Sequence, residues 1–228
     1  MDRFWVTQTL IWLNLLAWVA NVASGLSALA PSPIELLVWG GNHLPLTREQ
    51  PWRLLTSAFL HGGIIHLAFN MWALSQVGRL AENFYGRVQF ALIYLFSALF
   101  GAVSSLFFAA ATGVSVGASG AVFGVAGAVL VAVSTKARHL NPFVAGSLRA
   151  SLLAFVGYSL LMGFIAPMID NAAHVGGLLA GSGLALIMAE RFDVRQFRRE
   201  GLRRAVTGVS VAMVALFVLW RLVPGTTA

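Results

Sequence analysis

The 228-residue chain contains no cysteine, which excludes disulfides, thiolate nucleophiles and Cys-ligated metals. Charge is almost as scarce: 10% of residues are Asp, Glu, Lys or Arg, against about 25% in an ordinary soluble domain. No charged stretch is long enough to form a soluble domain, no low-complexity tract is present, and no internal repeat of the transporter type is evident. Apolar residues make up 58% of the chain, and the mean hydropathy is +0.81. A globule this small could not hide so much apolar surface from water, so the solvent for this chain is a lipid bilayer.

The net charge of +7 does not point to nucleic acid, because of where the charge lies. Six of the fifteen basic residues (Arg191, Arg195, Arg198, Arg199, Arg203 and Arg204) fall in one short connection between two apolar runs. That is where a membrane-topology signal belongs, and anionic lipid is its natural partner.

Seven apolar segments emerge on a window of about 20 residues, the helix length that crosses a ~30 Å hydrocarbon core. They lie near Val6–Leu29, Gly63–Gly78, Val88–Ala111, Ser119–Ser134, Ala150–Ile165, Ala172–Ala189 and Ala205–Leu222. All are expected to be helices, since an open strand in lipid leaves backbone groups unpaired. Ala28-Leu29-Ala30 resembles a signal-peptide cleavage site, but Asp2 offsets Arg3 and Asn14 and Asn21 interrupt a long apolar stretch, so a retained helix is expected. The expected organisation is one polytopic membrane domain over residues 1–228, with a core near 6–189 and an additional helix near 205–222.

Counting Lys and Arg by side gives twelve on the side of the N-terminus, including Arg3, Arg79, Arg87, Lys136, Arg138 and Arg149. The other side holds three: Arg48, Arg53 and Arg221. This asymmetry predicts a cytoplasmic N-terminus and an external C-terminus. The external connection from Ala30 to Leu60 is long, proline-bearing and amphipathic, as suits a segment lying in the interface. A second external stretch, Thr112 to Ala118, is built of small residues.

Polar residues within membrane segments are expensive and therefore candidates for function. Three places carry them. His66 and Asn70, four apart, share one helical face, with His61 at the mouth of the same helix. Ser119 opens the fourth segment between Gly117 and Gly120, where glycines permit close approach and a helix N-terminus offers free N–H groups. Only about 16 residues separate Ser119 from the next basic cluster, roughly 24 Å of helix, so the serine should lie below the outer surface. His174 opens the sixth segment one turn before Gly177, and Gly177 and Gly181 form a small-residue seam. If that seam packs on the fourth segment, His174 reaches Ser119. All four polar residues then fall at one depth in the external half.

Singly, each has a plainer explanation: Ser119 as packing, His174 as a hydrogen-bonded bundle residue, His66 with Asn70 as interhelical glue. Metal binding by His61, His66 and His174 is the weaker alternative, because no carboxylate shares their depth and the five-residue spacing misses the helical zinc geometry. The joint pattern Trp52-Arg53, His61…His66…Asn70, Gly117-Ala118-Ser119-Gly120 and Ala173-His174-Val175-Gly176-Gly177…Gly181 resembles the signatures of the rhomboid intramembrane serine proteases, in order, over about Trp52 to Gly181. The resemblance implies an all-α six-helix membrane bundle plus one extra C-terminal helix. It implies Ser119 as nucleophile and His174 as general base, with no acidic third member and no cofactor or metal. The oxyanion hole would be the Ser119 N–H, His66 and Asn70. Phe123 would pack on the histidine ring; His61, Gly117, Gly120, Gly177, Gly181, Trp52 and Arg53 would support the site; Phe69 would stand at a substrate gate. Asp170 is expected to be a loop or cap residue.

The expected reaction is hydrolysis of peptide bonds in or near transmembrane segments of protein substrates, in a bacterial plasma membrane, with the site opening externally. The alternative is a catalytically silent relative that binds transmembrane clients.

Overall fold

A computed structural model describes residues 4–108, 113–135, 140–166, 169–192 and 194–225. Arg3, Thr112, Lys136, Arg138 and Pro167 lie outside the described residues. Nine helices are formed among those described: α1 (Trp5–Ala23), α2 (Pro33–Val38), α3 (Leu44–Glu49), α4 (Arg53–Thr56), α5 (Ile64–Phe108), α6 (Ser119–Thr135), α7 (Pro142–Ile165), α8 (Asn171–Ile187) and α9 (Val194–Leu222). A 3₁₀ turn, Ser57–Phe59, follows α4.

Four of these (α1, α5, α7 and α9) are long and apolar enough to cross a membrane. The 45-residue α5 holds the second and third expected segments as two arms, and its dihedrals break only at Gly86 (φ 73°, ψ 173°). Glycine is needed there because other residues reach this region at a cost. α6 and α8 have 17 residues each, about 25 Å of helix, short of a ~30 Å core.

Three expected boundaries are corrected. The first helix ends at Ala23 and not near Leu29, because Gly25 (φ 105°) closes it. The Leu26 N–H bonds the Asn21 carbonyl at 2.9 Å and the Gly25 N–H that of Val22 at 3.0 Å, a Schellman closure. α7 starts at Pro142 instead of Ala150, since Asn141 accepts from the Phe143 N–H at 2.9 Å and proline suits the first turn. The last helix starts at Val194, not Ala205. The arginine-rich segment read as a connection is therefore largely helix, as straight-chain arginines allow. Arg204 also donates from Nε to the Ile187 carbonyl at 2.6 Å, satisfying the open end of α8.

The bundle is built around α6. Every residue from Gly120 to Val129 is buried, and all but Phe123 are Gly, Ala or Val; small residues let neighbouring backbones approach closely. A Cβ on Gly177 would collide with the Gly120 carbonyl, and one on Gly181 with the Gly124 carbonyl. The α6–α8 seam is thus backbone against backbone. α1 is fastened to α5 by the buried Glu82 carboxylate, which accepts from Val6 N–H (3.0 Å), Thr7 N–H (3.0 Å) and Thr7 Oγ1 (2.8 Å). The two backbone N–H groups are first-turn donors that have no partner within their own helix. α7 contrasts with the rest: only Ala145 and Leu152 are buried.

Candidate active site

Ser119 is the first residue of α6, so its own N–H is one of the unpaired donors at a helix N-terminus. The chain reaches it through Gly117 (φ 122°), whose N–H bonds the Ser57 carbonyl at 2.9 Å. Glycine is required twice over: the dihedral is left-handed, and a Cβ would lie 2.8 Å from His66 Cε1 and 2.9 Å from His66 Nε2. The same point is 3.8 Å from Ser119 Oγ. The imidazole edge and the hydroxyl therefore flank one small space.

The tautomer of His66 follows from its neighbours. Its Nδ1 accepts from the Gly62 N–H at 3.2 Å, which leaves the proton of a neutral ring on Nε2, the nitrogen facing Gly117. Asn70 is buried and donates one amide N–H to the His66 carbonyl at 2.9 Å. The second N–H of that amide remains for another acceptor. His61 is buried with its ring edge-on to His66 at 5.2 Å between centroids.

His174 lies in the first turn of α8 and is 6% exposed. Its ring stacks on Phe123 with centroids 4.1 Å apart and planes 8° from parallel, while Phe155 of α7 meets the other aromatic at 5.5 Å. This stacking fixes the ring plane. Asp170 is the cap of α8: one carboxylate oxygen accepts from the Ala173 N–H at 2.9 Å, and the other is hydrogen-bonded by Ser105 Oγ. Each oxygen thus has a partner other than His174, whose Nδ1 is buried without a hydrogen-bond partner. The first turn of α6 is held against the first two turns of α8, through the Ala173 carbonyl, 3.3 Å from a Cβ on Gly120, and through Gly177 on the Gly120 carbonyl; these turns carry Ser119 and His174.

Trp52, Arg53 and Phe69 lie apart from this cluster. Arg53 is buried and donates from Nη1 to the carbonyls of Leu37 (2.7 Å) and Gly41 (3.2 Å). Its guanidinium lies 4.8 Å from the half-exposed Trp52 ring, and burial lowers its pKa from the ordinary value. The pair clasps the external connection. Phe69 is 68% exposed on α5.

Gly101 of α5 was not singled out by sequence, yet a Cβ on it would meet the Ala173 carbonyl at 2.8 Å and Gly120 Cα at 3.3 Å. It is the third member of the junction, and an isolated glycine in a helical run was its only signal. Beside it is a cavity of about 20 Å³, lined by Ser57, Ala102, Gly117, Gly120, Ala121 and Ala173 among others. That is room for about one water molecule.

These features define a helical membrane protein with a serine and a histidine at the facing starts of two short, glycine-seamed helices. The Rhomboid domain model matches residues 48–191, and the chain belongs to the rhomboid family. It is 42% identical over 130 residues to Rhomboid protease GluP of Bacillus subtilis (strain 168), covering 57% of this chain and 24% of that protein. It is 39% identical over 143 residues to RHOMBOID-like protein 2 of Arabidopsis thaliana (63% and 44% covered). To Rhomboid-like protease 1 of Toxoplasma gondii it is 28% identical over 193 residues (82% and 64%). The chain spans less than two thirds of the length of each of these relatives.

Proposed function

We propose that the chain is an intramembrane serine endopeptidase that cuts peptide bonds in or near transmembrane segments of other membrane proteins. The observation that carries this reading is the backbone contact of Gly177 on Gly120, with the ordered His174 ring in the adjacent turn. In the reaction, Ser119 Oγ attacks the scissile carbonyl while His174 takes its proton. The oxyanion is received by the Ser119 N–H, the His66 Nε2–H and the free N–H of Asn70. His174 then protonates the departing amine, and water hydrolyses the acyl-enzyme with the same histidine as base. Two residues perform the proton transfers, consistent with both Asp170 oxygens being engaged elsewhere.

In this reading the N-terminus faces the cytoplasm and the site opens to the external side, which the basic-residue asymmetry supports. A substrate enters sideways past α7, the least buried long helix, with the exposed Phe69 at its path. The test is fluorophosphonate labelling of the purified protein in detergent beside Ser119→Ala and His174→Ala, each shown to be folded. Labelling of the wild type alone supports the reading. An unlabelled, folded and accessible wild type would make it a silent relative that binds transmembrane clients.

A further inference from the structure

The segment leading into Ser119 is held from a part of the chain that lies outside the matched domain. Ser115 pairs with Asn42 in an isolated antiparallel bridge: Asn42 N–H to the Ser115 carbonyl at 3.0 Å, and Ser115 N–H to the Asn42 carbonyl at 2.8 Å. Asn42 is 1% exposed, and both its side-chain amide nitrogen and its side-chain oxygen are hydrogen-bonded. Its amide Nδ2 donates to the Ala102 carbonyl of α5 at 2.8 Å, and its Oδ1 accepts from Thr47 Oγ1 at 2.9 Å. Thr47, also buried, accepts in turn from the His43 N–H at 3.0 Å. The neighbouring Gly41 lies so close that a Cβ would meet Val114 Cγ1 at 2.6 Å.

One residue thus ties three elements: α3 through Thr47, the second arm of α5 through Ala102, and the approach to the nucleophile through Ser115. The next residue, Arg48, extends the tie to α9, donating to the Trp220 carbonyl at 3.4 Å and lying 5.5 Å from that ring. Among residues 113–117 the backbone is not helical, so its placement depends on such partners.

We infer that Asn42, locked by Thr47, is a positioning residue for Ser119, and that the external connection acts as a brace on the nucleophile. The inference rests on the proposed protease reading for its catalytic meaning, but the brace itself can be measured without it. The experiment compares full-length wild type, Thr47→Val and Thr47→Ser by hydrogen exchange of peptides covering residues 113–118 and by the rate of fluorophosphonate labelling. Valine keeps the shape and removes the hydroxyl; serine restores it. In Thr47→Val, exchange over 113–118 rises about tenfold and labelling slows about tenfold, with α6 and α8 exchanging as in wild type, and Thr47→Ser restores both. Thr47→Ala takes its place if the valine variant does not fold. Unchanged exchange at 113–118 overturns the inference, and so does a rise spread equally over α6 and α8. A wild type that never labels overturns the protease reading instead, and exchange alone then decides the brace.

Discussion

Gly101→Ala tests the three-helix junction with the smallest perturbation available. The added methyl would stand 2.8 Å from the Ala173 carbonyl and 3.3 Å from Gly120 Cα, where ordinary contact begins at 3.4 Å. The backbone oxygen cannot rotate away, so the first turn of α8 must retreat by about 0.6 Å. Overpacking of this kind costs about 1–3 kcal/mol of stability. Ala173 precedes His174 and Gly120 follows Ser119, so the displacement falls on the two reacting side chains. A 1 Å misplacement costs on the order of 10²-fold in rate, so about tenfold, or roughly 1.4 kcal/mol of barrier, is expected. The assay is the second-order rate of fluorophosphonate labelling alongside thermal unfolding in detergent. Gly183→Ala is the control, since nothing lies within 4 Å of its Cβ position; it should label at the wild-type rate. If Gly101→Ala also labels and unfolds like the wild type, the junction is slack and the reasoning fails.

Asn70→Ala removes one of the proposed oxyanion donors and should reduce turnover of a transmembrane substrate by about 10²–10³, or ~2.7–4 kcal/mol, while leaving measurable activity. Activity as low as that of Ser119→Ala would give Asn70 more than a donor's role. Gly177→Val should fail by a different route, since its side chain meets the Gly120 carbonyl: low yield of folded protein in detergent is expected, and a folded, fully active variant would refute the seam. A covalent link between α7 and the first arm of α5 should abolish cleavage of membrane substrates, and unchanged cleavage would exclude lateral entry past α7.

Much of this arrangement was legible because membrane segments make polar residues conspicuous. Ser119, His174, His66 and Asn70 stood out against apolar surroundings, and helical spacing alone put His66 and Asn70 together. Phe123 came from the family resemblance, and the structure stacks it on His174. What sequence could not supply were contacts between segments distant in the chain. Glu82 reads as an ordinary charge near a basic loop, yet it is buried and holds α1. Asn42 and Thr47 sit in a stretch whose polarity suited an interface, so their burial left no signature there. Helix limits failed where local chemistry overrode hydropathy: a glycine closed α1 early, an Asn-Pro cap opened α7 early, and arginines continued α9 beyond the apolar run.

The glycine seam between α6 and α8 also imposes an order on the making of the molecule. Ser119 and His174 are fifty-five positions apart in the chain, and the two glycines that α8 brings to the seam, Gly177 and Gly181, follow the histidine. During synthesis the serine helix therefore enters the membrane well before its partner, a short and small-sided helix without the backbone surface it is shaped to meet. Ser119 spends that interval without His174 beside it, among segments of its own nascent chain that are themselves hydrophobic helices. If the chain is the protease proposed above, this order keeps it silent while its own helices are being laid down, and the last pieces of its site arrive only once most of the bundle is in place.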